Sequence, residues 1–161
     1  MQLLHIADLH FGRLLYGRSL MDDQRHFVRQ SLLPALDEYK PDALLIAGDL
    51  YDRQIASVDA IHLFDELIDA LCERSIPAVI ISGNHDSAER LDFASGLLAE
   101  QGVYIAGRFH GMPKQVVLHD RYGPLEFTLL PFVRAATVRH YLPEAEISDY
   151  DSAVGAALAV C

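Results

Sequence analysis

Residues 77–87 read "PAVIISGNHDS", and this stretch changes from apolar to polar within a few positions. The segment "PAVIIS" (77–82) is short and rich in β-branched residues, which predicts a buried strand. Gly83 begins a polar segment that brings an amide, an imidazole and a carboxylate directly after that strand. The polar segment is therefore either an ordinary turn that leads into a capped helix or one wall of an active site.

The alternation of strand and helix extends on both sides of this stretch. Apolar runs predict further strands at "LLHIA" (3–7), "DALLIAG" (42–48) and "VYIAG" (103–107). Helical spacing of apolar residues predicts helices over residues 22–39, 57–74 and 88–101. This βαβαβαβ order predicts an α/β fold with a mostly parallel sheet and helices on its faces.

Single residues within these helices predict where each one begins, bends or ends. Pro34 is expected to kink or shorten the first helix, because proline lacks the backbone N–H that a helix interior needs. Ser57 is expected to cap the second helix and Gly102 to end the third. The second helix is expected to bury the face on which Ile61, Phe64, Leu67 or Ile68, and Leu71 recur at helical spacing.

The sequence pattern changes after about residue 110. Two runs, "KQVVLHD" (114–120) and "LEFTLLPF" (125–132), flank "RYGP", which predicts an antiparallel hairpin after the parallel core. An Ala-rich stretch then reads as a helix capped by Ser148 or Asp149. The chain stops inside that stretch at Cys161, so we expect residues 1–161 to be an incomplete domain of a longer protein.

Composition and charge restrict the class of protein. Half of the 161 residues are apolar (51%), which is typical of one globular domain. The first residues lack the basic and apolar regions of a signal peptide, so a cytoplasmic location is expected. Cys72 and Cys161 have no disulfide or metal spacing. The formal net charge of −10 argues against simple electrostatic capture of nucleic acid, and it is compatible with a carboxylate-rich metal site.

Polar side chains follow each of the first three predicted strands. They are Asp8 and His10 after the first strand, Asp49 and Asp52 after the second, and Asn84, His85 and Asp86 after the third. In open α/β sheets, ligands bind outside the carboxyl ends of the strands. The coincidence of three such segments at one edge carries more weight than any single motif.

Each segment also has an ordinary structural explanation. Asp-x-His is too short to be a specific signal by itself. Gly-Asp is a common turn pair, in which Asp49 would be part of the turn or cap a helix. The other histidines have weaker contexts. His5 is expected to be packed within its strand, and the remaining ones are not expected to bind metal: His26, His62, His110, His119 and His140.

The residue types indicate a particular chemistry. Aspartate, histidine and asparagine without a thiolate favour Mn²⁺, Mg²⁺, Fe or Zn²⁺ over soft metals. A carboxylate such as Asp49 can bridge two ions about 3.5–4 Å apart, the clamp that hydrolyses phosphate esters. The leaving alkoxide needs a proton, and His85, with the Asp86 carboxylate beside it, can supply one.

The three blocks "DLHFG", "GDLYD" and "GNHD" resemble the calcineurin-like metallophosphoesterases. Within that superfamily, "MQLLHIADLHFGRLL", "GDLYDR" and "SGNHDSAERL" are similar to nuclease subunits of the bacterial SbcD type, in the double-strand-break repair nuclease family. The resemblance covers residues 1–107 strongly and the remainder more loosely. It implies that the chain is the N-terminal part of a metallophosphoesterase domain.

The resemblance also implies roles for particular residues. Asp8 and His10 would hold one metal, Asp49 would bridge, Asn84 would hold the second metal, and His85 would be the acid or the transition-state stabiliser. The implied cofactor is a pair of divalent ions, most naturally Mn²⁺. The implied activity is exonuclease and endonuclease cleavage of DNA in repair, recombination and replication. The implied partners are DNA, an SbcC-like ABC-type ATPase, and a second copy bound through helices 57–74 and 88–101.

The chain departs from this family in one respect. The family needs further histidines, among them a Gly-His-x-His pair, and these 161 residues contain no such pair. The capping domain and the partner-binding region are also expected outside the chain. We therefore expect this chain alone to bind two metals weakly and to be nearly inactive.

Other functions fit part of the sequence. A generic metallophosphoesterase that acts on nucleotides, phosphoproteins or lipids would carry the same motifs. A catalytically inactive scaffold would tend to lose metal ligands, whereas every ligand of the first half is present here. A nucleotide-binding doubly wound domain would need a glycine-rich loop after the first strand, and the sequence there has no G-x-G-x-x-G.

Overall fold

The structure is a computed structural model, and it describes residues 1–160. Its strands are β1 (Leu3–Ile6), β2 (Leu14–Leu15), β3 (Arg18–Ser19), β4 (Ala43–Ala47), β5 (Ala78–Ile81), β6 (Val103–Ala106), β7 (Lys114–Asp120) and β8 (Gly123–Leu129). Its α-helices are α1 (Met21–Phe27), α2 (Leu33–Tyr39), α3 (Val58–Glu73), α4 (Ala88–Asp92), α5 (Ser95–Ala99), α6 (Ala135–Tyr141) and α7 (Tyr150–Leu158).

Four strands form a fully parallel sheet in the order β1-β4-β5-β6. The register pairs Leu3 with Ala43, and it pairs Ala78 with both Leu44 and Val103. The predicted α/β fold is thereby confirmed, as is the hairpin, which β7 and β8 form as a separate antiparallel pair. A short antiparallel pair of β2 and β3 was not predicted.

The helices cover one face of the parallel sheet, and the hairpin covers the other. Alternate strand residues such as Ile46 and Ile80 join a core cluster with Leu36 of α2 and Leu67 of α3. The residues between them, such as Val79, join a second cluster with hairpin residues. Because the strands are in sequential order, right-handed crossovers bring the helices that connect them to the same face. The layered sandwich that the resemblance implies is therefore present, with helices on one face of the parallel sheet rather than on both faces.

The first predicted helix, 22–39, is divided by a π-helical turn at Val28–Leu32. This turn lies between α1 and α2, and Pro34 occupies the first turn of α2. Proline lacks the N–H that would bond back to the preceding turn, so a wider turn absorbs the missing bond. The predicted interruption at Pro34 is confirmed.

Helix α3 begins as predicted, since the Ser57 hydroxyl accepts a hydrogen bond from the Ala60 amide at 3.3 Å. Most of its predicted buried face is confirmed, because Leu67, Ile68 and Leu71 lie in the core. Phe64 packs against that core, whereas Ile61 remains 45% exposed.

The predicted helix 88–101 is instead two short helices, α4 and α5. The break is at Ala94, which has a positive φ of 59° that no helix interior tolerates. Phe93 beside it is 80% exposed. The predicted end is correct, because Gly102 has a φ of 80° and its N–H bonds the carbonyl of Ala99 at 3.1 Å.

The segment after the hairpin forms α6 and α7, which share a small apolar cluster. Asp149 caps α7, and its carboxylate accepts a hydrogen bond from the Ser152 amide at 2.9 Å. His5 is exposed rather than packed as predicted. None of the helices in residues 1–160 is long and apolar enough to cross a membrane. Cys161 lies outside the described residues.

Candidate metal centre

The segments that follow β1, β4 and β5 meet at the carboxyl edge of the sheet. Backbone hydrogen bonds continue between the first two beyond the ends of the strands. The Asp8 amide bonds the Gly48 carbonyl at 3.2 Å, and the His10 amide bonds the Asp49 carbonyl at 2.9 Å. The Asp52 amide in turn bonds the carbonyl of Phe11 at 3.1 Å. These bonds hold the backbone of Asp8 and His10 against that of Asp49.

The side chains of these three residues converge. His10 Nε2 lies 3.7 Å from an Asp8 oxygen and 3.8 Å from an Asp49 oxygen. These separations are longer than hydrogen bonds of about 2.7–3.2 Å. They suit atoms that share one ion at about 2.0–2.2 Å from each. The three side chains therefore fit a single divalent cation.

The backbone at all three positions is strained. Asp8, His10 and Asp49 have φ values of 55°, 45° and 49°, in the left-handed region. Such conformations cost on the order of 1–3 kcal/mol each and persist where the surrounding structure determines them. Three such residues whose side chains converge favour a functional site at this edge of the sheet.

A second group lies on the other side of the His10 ring. His10 Nδ1 is 3.7 Å from an Asp52 carboxylate oxygen, and the His85 ring is 4.7 Å from the His10 ring at 81°. His10 Nδ1 is buried and has no hydrogen-bond partner in residues 1–160. A buried polar atom without a partner is costly, which also favours an ion beside these groups. Two imidazoles and a carboxylate form a donor set that fits a divalent cation.

His85 is held by the main chain of Asp52. Its Nδ1 lies 2.9 Å from the Asp52 carbonyl oxygen. A carbonyl can only accept, so this bond places a proton on Nδ1 and leaves Nε2 facing outward. The bond is the main cause of a raised pKa of His85, and the charges of Asp49 and Asp52 raise it further.

The Asp86 carboxylate contacts backbone rather than the His85 ring that the sequence reasoning placed beside it. It accepts hydrogen bonds from the amides of Gly83 at 2.8 Å, Leu50 at 3.2 Å and Tyr51 at 2.9 Å. Asp86 is 5% exposed. It therefore ties the segment after β5 to the segment after β4. Burial, and then the Asp86 charge, raise the pKa of Tyr51 well above its usual range.

Two glycines allow the same two segments to touch. A Cβ on Gly83 would lie 2.0 Å from an Asp49 carboxylate oxygen and 2.3 Å from the Asp49 amide nitrogen. A Cβ on Gly48 would lie 3.1 Å from the Gly83 Cα, and Gly48 also has a φ of 85°. The sequence reasoning gave Gly83 a turning role, and the structure gives it a close-approach role.

Asn84 lies on the exposed part of the loop between Gly83 and His85. It lines a cleft of about 320 Å³ that opens beside the converging side chains. Of the eight histidines, His10 and His85 belong to the two groups. His110 instead lies 3.4 Å from the Asp92 carboxylate.

Sequence reasoning noted Asp52 after the second strand but gave it no role. In the structure its carbonyl holds His85 and its carboxylate faces His10. The available signal was its position, three residues after Asp49 in "GDLYD". That spacing alone does not separate a side chain at the site from one in an ordinary turn.

Comparison with known proteins agrees with this geometry. The profile of a family described as calcineurin-like phosphoesterase matches residues 1–148. The chain is 36% identical over 160 residues to a protein from Staphylococcus saprophyticus that is named as a subunit of the nuclease SbcCD. It is 34% identical over 159 residues to the protein of the same name from Staphylococcus epidermidis. These alignments cover 99% and 98% of this chain and 41% of each relative, so the chain spans about two fifths of their length. The chain belongs to the calcineurin-like metallophosphoesterases.

Proposed function

We propose that this chain carries the metal-binding half of a metal-dependent phosphodiesterase, a nuclease that cleaves DNA ends and hairpins. The convergence of Asp8, His10 and Asp49 at one sheet edge is the observation that supports it most. The relatives are named as subunits of a nuclease, and the proposal of a nucleic-acid substrate rests on those names. The activity belongs to repair, recombination and replication of DNA, in the cytoplasm.

Four side chains would hold two divalent cations, with Mn²⁺ as the first choice and Mg²⁺, Fe or Zn²⁺ as fitting alternatives. Asp8 and His10 would bind one cation, Asn84 the second, and Asp49 both. Bound there, the cations would polarise the phosphodiester and lower the pKa of a water molecule to make a nucleophile. Oxygen and nitrogen donors without a thiolate suit this set of metals.

His85 would complete the reaction as proton donor. Its Nδ1 proton is held by the Asp52 carbonyl at 2.9 Å, so Nε2 can face the substrate. In the metal-free chain the Asp52 carbonyl and the charges of Asp49 and Asp52 raise the pKa of His85, which favours the protonated ring, and bound cations would oppose that effect. A protonated His85 would donate its proton to the leaving oxygen. Asp86 supports this role by fixing the loop that carries His85.

This chain alone would bind the two cations weakly and be nearly inactive. The four proposed ligands come from three loops on one side of the site. Cations of this kind prefer four to six ligands, and water would have to supply the others. The remaining protein ligands would come from sequence that matches the rest of the relatives.

Two protein partners are proposed. One is an SbcC-like ABC-type ATPase, by analogy with relatives whose name makes them one component of a larger nuclease. The other is a second copy of this chain. Around α3 and α5, Phe93 is 80% exposed, Ile55 73%, Leu97 70% and Val58 67%. Large apolar side chains that are exposed on these elements favour a protein interface there.

A chimera tests the proposed activity. Residues 1–160 of this chain would replace the aligned 41% of the Staphylococcus saprophyticus relative. The chimera is expected to degrade a blunt DNA duplex when Mn²⁺ is present, and His85→Ala is expected to lower the rate at least about 100-fold, as for loss of a general acid. His62→Ala, on the exposed face of α3, is the matched control. A folded chimera without activity would contradict the proposal.

A small substrate separates the nuclease from a generic phosphoesterase. The chimera would hydrolyse bis-p-nitrophenyl phosphate, and DNA is added as a competitor. A nuclease is expected to lose this activity at micromolar DNA ends, whereas a phosphoesterase for small or protein substrates would not. A scaffold without catalysis would show neither activity while still binding a partner.

Sedimentation of the chain with and without Phe93→Ser tests the self-association surface, with Tyr122→Ser as the exposed aromatic control.

A further inference from the structure

The cleft beside Asn84 has features of a second binding site. We propose that it holds one nucleotide of a single strand, with its flanking phosphates, next to the metal centre. This inference rests on the proposed function, since it names the part of the substrate that the site takes. The cleft has a volume of about 320 Å³, at the lower end of the range of about 300–1,000 Å³ for ligand sites. One nucleotide residue suits that size better than a duplex.

Two arginines supply the charge. Arg108 and Arg134 both line the cleft. Neither has an ion pair or a side-chain hydrogen bond with any residue in the range 1–160, whereas Arg25, Arg29 and Arg74 are paired with carboxylates. In a chain with a net charge of −10, two guanidinium groups without a carboxylate partner at one cleft offer two cationic contacts, although the carboxylates of Asp86 and Glu89 also line it. Guanidinium groups bind phosphate oxygens in a bidentate manner.

Ser82 fixes the position of both arginines relative to the metal centre. Its hydroxyl donates to the Gly107 carbonyl at 2.8 Å, next to Arg108. Its own carbonyl accepts from the Phe132 amide at 2.9 Å, two residues before Arg134. Ser82 is 3% exposed. Because Ser82 is also two residues before Asn84, one buried residue links both arginine segments to the loop of the proposed metal ligand.

Aromatic and acidic side chains of the lining add further constraints. Phe132 and Tyr141 both line the cleft. Phe132 is 38% exposed, and one face of its ring stacks on Tyr150 with the ring centroids 6.0 Å apart, so its other face is the one open to a base. Exposed aromatic rings are platforms on which single-stranded bases stack, irrespective of sequence. Glu89 also lines the cleft and has no ion-pair partner within the described range, so it repels a phosphate there. Removal of either arginine charge should therefore weaken binding of a phosphate, and removal of the Glu89 charge should strengthen it.

Fluorescence anisotropy tests the site without any catalytic step. The probe is a 5′-fluorescein-labelled hexamer of thymidine, titrated with this chain in EDTA at several salt concentrations. Arg108→Ala and Arg134→Ala are each expected to weaken binding at least about 5-fold and to lower the salt slope by about 0.7, the value for one phosphate contact of a single strand. Glu89→Gln is expected to tighten binding at least about 2-fold, because it removes a repulsive charge.

Arg121→Ala is the matched control, because Arg121 lies at the turn of the hairpin, near the N-terminus and opposite the metal centre. Equal weakening by Arg121→Ala, no effect of Arg108→Ala and Arg134→Ala, or no binding of the hexamer would overturn the proposal. Binding of inorganic phosphate that matches the hexamer in affinity would also overturn it, since the cleft would then be a bare anion site. If hexamer binding depended on both arginines but the chimera were inactive, the cleft proposal would be supported and the proposed nuclease activity would be contradicted.

Discussion

The backbone amide of His85 donates a hydrogen bond to one carboxylate oxygen of Asp49 at 2.9 Å. The other oxygen of Asp49 points towards His10 Nε2, 3.8 Å away. One carboxylate therefore has two distinct functions. Its first oxygen fixes the loop that follows β5, and its second is free to bind a cation. Any change that moves this loop is expected to move the proposed bridging ligand.

Substitution of Gly83 tests this coupling. In Gly83→Ala the new methyl group would lie 2.0 Å from an Asp49 oxygen, so the two segments must separate. The expected loss of stability is about 1–3 kcal/mol, the range for overpacking. Mn²⁺ affinity should fall with it, because the Asp49 carboxylate is displaced. Chemical unfolding and calorimetric titration with Mn²⁺ measure the two effects.

The control is Gly155→Ala in α7, where a methyl group would contact nothing within 4 Å. Gly155 is exposed within that helix, so alanine is expected to stabilise the chain by up to about 1 kcal/mol. If Gly83→Ala behaved like Gly155→Ala in both measurements, the close approach of Gly83 to Asp49 would be refuted.

Removal of one carboxylate separates metal binding from stability. Asp8 has a side chain that is 71% exposed, and its neighbour at the site is His10 Nε2 at 3.7 Å. Asn tolerates the positive φ at this position, so Asp8→Asn should leave the melting temperature of the metal-free chain within about 2 °C. The rise in melting temperature caused by 1 mM Mn²⁺ should largely disappear, because a charged ligand is lost. Asp23→Asn removes the same charge from the exposed side of α1, and it should keep the full rise.

Short-range patterns in the sequence were enough to predict the sheet edge and the residues at it. Short apolar runs predicted the strands, and Gly48 and Gly83 marked where the chain leaves two of them. Other features depend on distant partners. The Asp86 carboxylate bonds amides that are 35 and 36 residues away, and no local pattern encodes that pairing. The exposure of Ile61 on α3 and the break at Ala94 likewise follow from tertiary packing.

Asp86 is expected to be the most sensitive polar residue of the site. Asp86→Ala leaves three amide groups of two loops without their shared acceptor. Hydrogen bonds to a buried charged group contribute about 1.5–3 kcal/mol each, so a total loss of at least about 3 kcal/mol is expected. Asp69→Ala, an exposed carboxylate on α3, should change stability by less than about 0.5 kcal/mol. Urea unfolding of both variants measures the difference, and equal stabilities would contradict the bracing role of Asp86.

The protonation of His85 gives a pH-dependent signature. The Asp52 carbonyl and the charges of Asp49 and Asp52 raise the pKa of His85 above the usual value of about 6.5. A raised pKa in the folded state means that this group stabilises the metal-free chain below the ordinary imidazole pKa. That contribution disappears as the pH rises through the pKa of the folded state.

Nuclear magnetic resonance titration of the His85 ring measures this pKa directly. In the metal-free chain it should exceed 6.5, and Asp52→Asn should lower it, because one negative charge is removed while the carbonyl bond remains. Asp69→Asn, which lies on α3 away from the ring, should leave it unchanged. Saturating Mg²⁺ should lower the pKa, because bound cations repel the imidazolium. If the pKa of His85 changed with neither Asp52→Asn nor Mg²⁺, His85 would not lie close to the bound cations. That result would contradict its proposed role as proton donor.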